Sequence, residues 1–358
     1  MPRLLALTVR PSLGPDTRYR IEQYVEPLAA LGIQVDVHHL FSDEYYRLQQ
    51  APGREAGKGL GALGGFFRRL ADLALHARAY DGVWVCRELF PLGPPLLERL
   101  LFALNPRVIL DIDDAIYLHD ATNTGFIHSR LRDFGKLGRI AGRFSAVVCG
   151  NAYLAEYFLD KNPRVFVVPT VVPMSRYGAI PHRESPSVRI GWIGTPGNAA
   201  HLEIARPALE ALARTRDFAT RVVGLTRPLG WSLPGLVQLP WSLERELDYF
   251  SDFDIGIMPL EDFAFARGKC AFKIIQYMAA GIPVVASPVG SNLDVVRHGE
   301  NGFLAASTRE WITHLQALLD DAALRARMGQ RGRETVRDGF SLESQAVRYA
   351  DIIKEVLQ

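Results

Sequence analysis

Short apolar runs rich in β-branched residues alternate with longer amphipathic stretches along the whole of this 358-residue chain. Such alternation is typical of parallel βαβ units, in which buried strands are connected by helices. Six strands are predicted in the first half, beginning at Leu4, Ile33, Gly82, Arg107, Ser145 and Val165. Six more are predicted in the second half, beginning at Val188, Thr220, Val237, Phe253, Pro283 and Gly302. The chain is therefore predicted to be an α/β protein with two open sheets.

A stretch rich in proline and polar residues, starting at Pro169, separates the two series of strands. We predict a first domain over residues 1–172, a linker over 173–187 and a second domain over 188–340. The final helix, about 341–358, follows no further strand. It is expected to pack back on the first domain.

Composition excludes several classes of protein. A formal net charge of +2 gives no reason to expect a nucleic-acid partner. The three cysteines show no C-x-x-C spacing, and their odd number favours a reducing compartment. The first apolar run is too short for a signal peptide, and no run of about 20 apolar residues predicts a membrane span. A cytoplasmic enzyme is the expectation.

Two glycine-containing loops follow predicted strands of the second half. In open parallel sheets a ligand binds at the carboxyl ends of the strands, where helix N-termini favour phosphate. The backbone N–H groups of Gly290, Ser291 and Asn292 are therefore candidates to face an anion, with an ordinary βα turn as the alternative. Gly194 and Thr195 occupy the corresponding loop after the strand from Val188.

The segment from Gly268, GKCAFKIIQYMAAGIPVVASPVGSNLDVVRHGENGFLA, resembles the donor-binding half of the family 4 glycosyltransferases. A helix ending in YMAAG, a strand PVVAS, a loop PVGSN and then HGENGFL keep the family's spacing. The first half of the chain is similar only loosely. The resemblance implies the GT-B architecture, two Rossmann-like domains facing each other across a cleft. It also implies transfer of a sugar, with retention of configuration, from a nucleotide-diphosphate sugar to a hydroxyl group in polysaccharide, glycolipid or other glycoconjugate synthesis.

The sequence departs from the family at its two usual glutamates, which contact the donor. Gly268 and Gln276 stand at those positions. Gln276 can still form hydrogen bonds, and the resemblance implies that it contacts the nucleotide ribose. Lys273 is similar to the lysine of one subgroup, and Arg267 and Lys269 add positive charge to the same loop.

Positive charge suits the implied reaction, because cleavage of a sugar–diphosphate bond leaves negative charge on the nucleotide. No acidic metal site is visible in the second half, so lysine and arginine are expected to replace a metal. We therefore predict a metal-independent transferase with no cofactor, the nucleotide sugar being its co-substrate. Lys273 is the predicted catalytic cation, and a lysine whose stem merely packs on the helix surface is the alternative. The resemblance places Gly194 and Thr195 next to the diphosphate.

The loop after the first strand is the predicted acceptor side of the site. Gly14 permits close backbone approach to the donor, as in the similar family loop. Arg18 and Arg20 are candidates to bind phosphate or an anionic acceptor, although arginines at a helix start usually face solvent.

The acidic cluster DIDD, from Asp111, ends a buried strand, where charge repulsion and desolvation are costly without a purpose. Asp113 falls where similar enzymes often place a histidine near the reacting sugar. Asp113 and Asp114 are thus candidate catalytic residues, which would orient the acceptor hydroxyl or stabilise the positive charge that develops at the anomeric carbon. Helix capping or pairing with an arginine such as Arg18 is the alternative. His119 is a further acceptor candidate, as is His128, with a structural role for a lone histidine as the alternative.

A helix predicted over residues 59–79 carries apolar side chains at helical spacing beside Arg68 and Arg69. A face packed on the sheet is the preferred interpretation. A basic amphipathic surface that reaches a lipid-linked acceptor at the membrane is the alternative. The apolar face consists of Leu60, Leu63, Phe67, Leu70, Ala74 and Ala77.

Two other functions are weighed against transfer. A dinucleotide-dependent oxidoreductase would carry G-x-G-x-x-G, and Gly191, Gly194 and Gly197 do not match that spacing. A nucleotide-sugar epimerase, or a non-catalytic nucleotide-sugar-binding protein of the same fold, is the alternative that the missing glutamates keep open.

Overall fold

Each half of the chain builds a six-stranded, all-parallel sheet in a computed structural model of the protein. The structure describes residues 1–51, 53–119, 131–178, 180–181, 183 and 185–358. One unit comprises Met1–Thr170 and Leu342–Gln358, and the other comprises Val171–Ser341. The predicted α/β fold with two parallel sheets is confirmed.

All six predicted strands of the first unit form, and the four inner ones are almost completely buried, as their continuous apolar runs require. They pair in the order β2-β1-β3-β4-β5-β6. The strands are β1 Arg3–Thr8, β2 Gln34–His39, β3 Gly82–Cys86, β4 Val108–Ile112, β5 Ala146–Cys149 and β6 Val165–Val167.

Helices connect these strands. A five-residue π-helix, Arg18–Glu22, leads directly into the second helix. Pro15 is the first residue of α1, where its fixed φ suits a helix start. The helices are α1 Pro15–Thr17, α2 Gln23–Ala30, α3 Asp43–Gln50, α4 Glu55–His76, α5 Leu96–Leu104, α6 Lys136–Ile140 and α7 Ala152–Glu156.

The second unit has the strand order β12-β11-β10-β7-β8-β9, that of a doubly wound Rossmann sheet. The order reverses between β7 and β10, so the loops after these two strands flank the expected ligand crevice. The strands are β7 Val188–Ile193, β8 Phe218–Val223, β9 Leu236–Leu239, β10 Ile255–Met258, β11 Val284–Ala286 and β12 Gly302–Leu304.

Helices of the second unit alternate with its strands, and a 3-10 turn, Pro196–His201, follows β7. Residues 173–187, predicted as a linker, are counted with this unit, and Tyr177 within them is buried. The helices are α8 Met174–Tyr177, α9 Leu202–Ala213, α10 Ala264–Arg267, α11 Phe272–Ala279, α12 Asn292–Val295, α13 Thr308–Asp320 and α14 Ala322–Gly339.

The last helix, α15 Leu342–Leu357, belongs to the first unit. Its Tyr349 ring packs against Trp84 and Tyr24, with centroids 4.7 and 5.0 Å apart. The Tyr349 hydroxyl donates a hydrogen bond to the Asp111 carboxylate at the end of β4. Burial raises the pKa of Tyr349 well above its ordinary value, so the hydroxyl keeps its proton.

A buried ion pair completes this core. Arg20 donates from Nε and Nη2 to the two carboxylate oxygens of Asp111, at 2.8 and 2.9 Å, and from Nη1 to the Val168 carbonyl at 2.8 Å. Both side chains are 0% exposed. The prediction that Arg20 binds an acceptor is therefore wrong, because its guanidinium is enclosed and engaged inside the first unit.

Helix α4 does not pack on the sheet through its apolar face, which was the preferred interpretation of its sequence. Leu60, Leu63 and Phe67 are 72%, 54% and 59% exposed, so the predicted core-facing stripe mostly faces solvent. The helix packs instead through Gly61 and Gly65, where an added Cβ would lie 2.0 Å from the Tyr45 ring and 2.5 Å from the Phe41 ring. Small residues thus let the helix backbone approach α3 and the end of β2.

Replacing Arg20 by methionine would leave the buried Asp111 carboxylate without its guanidinium. An uncompensated buried charge is costly, so we expect the free energy of unfolding to fall by about 3–5 kcal/mol. Urea denaturation followed by circular dichroism measures the loss.

The exposed pair Arg3–Asp36, 2.9 Å apart on the same sheet, provides the control. Its side chains are 47% and 33% exposed, and Arg3→Met is expected to cost less than about 1 kcal/mol. Equal losses in the two variants would contradict the structural role assigned to Arg20.

Candidate functional site

Two glycines shape the carboxyl edge of the second sheet. Gly224, which follows β8, has φ +97°, and a Cβ there would lie 2.2 Å from the Gly194 carbonyl oxygen. A Cβ on Gly194 would in turn lie 2.6 Å from the Trp192 ring and 2.9 Å from the Lys273 Cε atom. Glycine is therefore required at both positions, and the turn after β7 lies directly against Lys273.

Lys273 lies in the first turn of α11, the helix that follows β10. Its Nζ atom is 5.8 Å from the centroid of the Trp192 ring, a cation–π distance, and the side chain is half-buried. The ammonium group thus lies where the strand order reverses, beside the first glycine turn. The structure brings together Gly194 and Lys273, two residues that were predicted to share a site.

Ala271, immediately before α11, has φ +51°, in the left-handed region. That conformation costs a non-glycine residue roughly 1–2 kcal/mol, so the surrounding structure must hold it in place. The turn fixes the point at which α11 begins, and hence the position of Lys273. Sequence reasoning did not predict this feature, since the sequence carries no glycine there to indicate it.

The loops after β10 and β11 pack on each other. Gly290 has φ +53°, and a Cβ there would lie 2.5 Å from the Arg267 carbonyl oxygen. The Arg267 side chain forms an ion pair with Asp262, with Nε and Oδ1 2.6 Å apart at the surface. The Lys269 Nζ atom lies 5.1 Å from the centroid of the Phe265 ring. Arg267, at the end of α10, and Lys269 therefore both lie in the connection between β10 and α11.

The loop after β11 corrects one predicted contact. The Asn292 N–H donates to the Val289 carbonyl at 3.2 Å, and its side-chain amide donates to the Ser287 carbonyl at 2.9 Å. Asn292 therefore stabilises the loop and does not present its N–H to a ligand. The Ser291 hydroxyl is buried and has no hydrogen-bond partner among the residues the structure describes.

Gln276 is also displaced from its predicted role. It is 3% exposed, and its Nε2 atom donates to the Tyr177 hydroxyl at 2.9 Å. Tyr177 comes from the segment that was predicted to be a linker, and it packs on α11. The implied contact of Gln276 with a nucleotide ribose is therefore wrong for this structure, because the amide lies inside the unit.

The turn after β7 carries further polar groups. Thr195 is exposed, and its hydroxyl accepts a hydrogen bond from the Asn198 side chain at 2.9 Å. His201, at the end of the 3-10 turn, accepts a hydrogen bond from the Glu261 N–H at 3.3 Å. This bond joins the loops after β7 and β10. His201 was not singled out from the sequence. Its only signal there was a histidine a few residues after a glycine-containing loop.

A charged cluster occupies the carboxyl edge of the first sheet, where the strand order reverses between β1 and β3. Arg87 donates to both carboxylate oxygens of Asp113, at 2.6 and 2.9 Å, and to Asp114 at 3.3 Å. Its Nε lies 3.5 Å from Asp16, which also pairs with Arg10 at 3.0 Å. Burial alone would raise the pKa of Asp16, but the two guanidiniums outweigh it and the pKa is lowered.

The acidic cluster does pair with an arginine, as the alternative interpretation allowed, but not with the example given, Arg18. Arg87, with φ +67°, pairs with Asp113 and Asp114. Arg18 donates instead to the carbonyls of Ser12 and Leu13, at 2.8 and 3.0 Å. Sequence reasoning missed Arg87, although its place directly after β3 was the available signal.

Gly14 lies directly against this charged cluster. A Cβ there would lie 2.6 Å from the Arg10 Cβ and 2.9 Å from the Asp16 Oδ1, which explains the glycine in that loop. His119 is exposed, with its ring 5.4 Å from Phe134. His128 lies outside the described residues.

A cavity of about 350 Å³ lies elsewhere in the second unit. Pro283 and Asp254, which precede β11 and β10, place it at the amino edge of the sheet. Lys273 and the glycine turns are at the opposite edge. The cavity therefore does not belong to the site assembled here.

Comparison with known proteins identifies the family of the second unit. Residues 188–321 match the family described as Glycosyl transferases group 1. This part of the chain is a glycosyl transferases group 1 domain. The match includes the Gly194 turn, Lys273 and the Gly290 loop, so the predicted family 4 resemblance is confirmed.

Two curated proteins are similar to parts of this chain. The O-antigen biosynthesis protein RfbC of Myxococcus xanthus is 31% identical over 165 residues, 44% of this chain and 12% of that protein. The N-acetyl-alpha-D-glucosaminyl L-malate synthase of Bacillus anthracis is 32% identical over 87 residues, 24% of this chain and 23% of that protein. The matched segments thus span less than a quarter of either relative.

Solved structures establish the fold over nearly the whole chain. Sucrose-phosphate synthase from Thermosynechococcus elongatus superposes with a TM-score of 0.72 and 16% identity, covering 99% of each chain. HepE from Anabaena, in complex with UDP and glucose, gives a TM-score of 0.65 and 15% identity, covering 99% of this chain and 100% of its own. The fold is therefore the two-domain α/β fold of GT-B glycosyltransferases.

Replacing Gly224 by alanine tests the geometry of the glycine turns. A Cβ would clash with the Gly194 carbonyl in a left-handed conformation, so we expect a loss of at least about 1–2 kcal/mol. Gly230→Ala, in the same connection between β8 and β9, meets nothing within 4 Å and should change stability by less than about 0.5 kcal/mol. Thermal denaturation compares the two, and an unaffected Gly224→Ala variant would contradict this packing.

Proposed function

We propose that this chain is a retaining glycosyltransferase that moves a sugar from a nucleotide-diphosphate sugar to a hydroxyl acceptor. The product would be a polysaccharide, a glycolipid or another glycoconjugate. The observation that carries the proposal is the position of the Lys273 ammonium group beside the Gly194 turn, where the Rossmann sheet changes strand order. The group 1 domain and the UDP- and glucose-bound HepE structure support a nucleotide-sugar donor.

The chemistry that this site suits is departure of a nucleoside diphosphate. As the bond from the anomeric carbon to the phosphate oxygen breaks, negative charge develops on the diphosphate. Lys273 stabilises that charge, with Arg267 and Lys269 contributing from the adjoining loop, and no metal ion is needed for this step. Gly194, Thr195, Gly290 and Ser291 supply the close backbone approach to the phosphates.

The first unit is proposed to bind the acceptor through its own carboxyl edge. Asp113 and Asp114, held by Arg87, orient the acceptor hydroxyl. The acceptor oxygen attacks on the face that the diphosphate leaves, and the leaving phosphate oxygen takes the hydroxyl proton. Attack from that face retains the configuration of the anomeric carbon.

A panel of nucleoside diphosphates and nucleotide sugars, with EDTA throughout, tests donor binding by thermal shift. One nucleoside diphosphate and its sugar are expected to raise the melting temperature, since ligand at 100 times Kd adds about 2.7 kcal/mol to stability. Lys273→Gln should abolish the shift and lower kcat by about 10²–10³, because it removes a cation that acts on developing charge.

Lys354→Gln, at an exposed position on α15, is the matched control and should keep both the shift and the rate. A shift with nicotinamide cofactors alone, or with no nucleotide at all, would refute the donor assignment. Retention is read separately, from the anomeric configuration of the product by NMR.

A nucleotide-sugar epimerase or a non-catalytic binding protein is the second candidate. It is favoured by Gly268 and by the buried Gln276, which leave both glutamate positions without a donor contact from a side chain. Such a protein would also give the thermal shift. Release of free nucleotide that depends on an added acceptor distinguishes a transferase from both alternatives.

We further propose that the protein works in the cytoplasm and reaches lipid-linked acceptors at the inner membrane face through α4. The exposed side chains of Leu60, Leu63 and Phe67, with the exposed Arg68 beside them, support a peripheral contact of this kind. Among the described residues, no helix has the length and apolarity needed to cross a bilayer.

Sedimentation with anionic lipid vesicles tests this contact. The double variant Leu63→Gln/Phe67→Gln should bind at least tenfold more weakly, because it removes two of the apolar side chains that would enter the lipid. Leu159→Gln/Val347→Gln removes two apolar side chains, 65% and 52% exposed, from other surfaces and should bind normally. Equal binding by both variants would contradict a role for α4.

A further inference from the structure

Three potential metal ligands meet at the carboxyl end of β2, in the first unit. They are His38 from the strand and Asp72 and His76 from α4. One donor atom of each residue lies within 4.8 Å of the donors of the other two. No metal site was predicted from the sequence. This group was not recognised, because His38 lies on a strand that is distant in sequence from the helix that carries Asp72 and His76.

Local structure explains why these side chains converge. Residues 72 and 76 are one helical turn apart on α4, so they project from the same face. On β2 successive side chains point to opposite faces. The His39 ring bonds the Thr8 hydroxyl at 2.8 Å, and His38 on the other face points to α4.

The spacing suits a transition-metal ion. The His38 Nδ1 and Asp72 Oδ1 atoms are 3.1 Å apart. Tetrahedral zinc, with bonds of about 2.0–2.1 Å, holds its ligand atoms about 3.3 Å from one another. This pair is therefore already at ligand spacing. The His76 ring centroid is 5.2 Å from that of His38, and one donor atom of His76 lies within 4.8 Å of those of His38 and Asp72.

The second carboxylate oxygen of Asp72 is an independent indication. Oδ2 is buried and has no hydrogen-bond partner among the described residues. It forms a long ion pair with Arg69, whose Nη1 is 3.7 Å away and whose Nη2 donates to the Thr8 carbonyl at 2.5 Å. A buried carboxylate oxygen without a hydrogen bond is costly, and a bound cation would remove that cost.

We propose that His38, Asp72 and His76 bind one divalent transition-metal ion, with zinc as the best fit. Two imidazoles and one carboxylate suit zinc and its neighbours, whereas magnesium and calcium prefer sites made entirely of oxygen ligands. Three protein ligands leave a coordination position for water. The ion joins the edge strand β2 to α4 and so stabilises the attachment of that helix to the sheet.

Titration of the chelator-stripped, full-length chain with zinc chloride tests the site by isothermal calorimetry. We expect one ion per chain and a higher melting temperature with zinc than with EDTA, because the ion binds the folded state. His38→Gln and His76→Gln should each weaken zinc binding by at least tenfold and abolish the thermal shift. Magnesium chloride should give neither effect.

A second pair of histidines provides the matched control. The rings of His298 and His314, in the second unit, are 5.0 Å apart, and no third ligand joins them among the described residues. The variant His298→Gln/His314→Gln should keep the stoichiometry and affinity of the intact chain. Loss of zinc binding in this variant, or its persistence in both His38→Gln and His76→Gln, would overturn the proposal.

The Asp72→Asn variant separates the loss of a metal ligand from a loss of folding. It keeps the size of the side chain, removes its charge and is expected to weaken zinc binding while far-UV circular dichroism stays unchanged. Nucleotide binding in the second unit is an independent readout and should be the same in all ligand variants. Zinc binding that is unchanged in a folded Asp72→Asn variant would remove the carboxylate from the site and overturn the assignment.

Discussion

The buried Arg20–Asp111 pair is the interaction on which the first unit depends. It joins the π-helix after the Gly14 loop to the end of β4, and the Tyr349 hydroxyl brings α15 to the same carboxylate. Because both charges are fully enclosed, each is tolerated only while the other is present. The ends of β1 and β4, and with them the Arg87–Asp113 cluster, are therefore held in a fixed arrangement.

The second unit depends instead on close contacts at strand ends that glycine residues make possible. The absence of a side chain lets Gly224 contact the Gly194 carbonyl and lets Gly194 contact the Lys273 side chain. In the same way, Gly290 contacts the Arg267 backbone. Each contact joins loops that follow strands of one sheet. The cationic group and the glycine turns meet because parallel strands direct all these loops to one edge.

The strands could be predicted because a strand buried on both faces requires a continuous apolar run, which is visible in the sequence. Lys273 and Gly194 could be placed together because the family spacing and the sheet topology agree. The burial of Arg20 and Gln276 could not be predicted, because their hydrogen-bond partners, Asp111 and Tyr177, lie 91 and 99 residues away in the sequence. The solvent-facing stripe of α4 was only the alternative interpretation, because apolar periodicity does not show that glycines form the packed face.

Helix α15 follows the whole second unit along the chain, and yet it completes the core of the first unit. Tyr349 fills the space between Tyr24 and Trp84 only after the whole second unit has left the ribosome. Until then the first sheet exposes apolar surface, and Asp111 lacks one of its hydrogen-bond donors. Domains usually fold in order from the N-terminus. Here the later unit is free to finish first, and the first unit must wait for its closing helix.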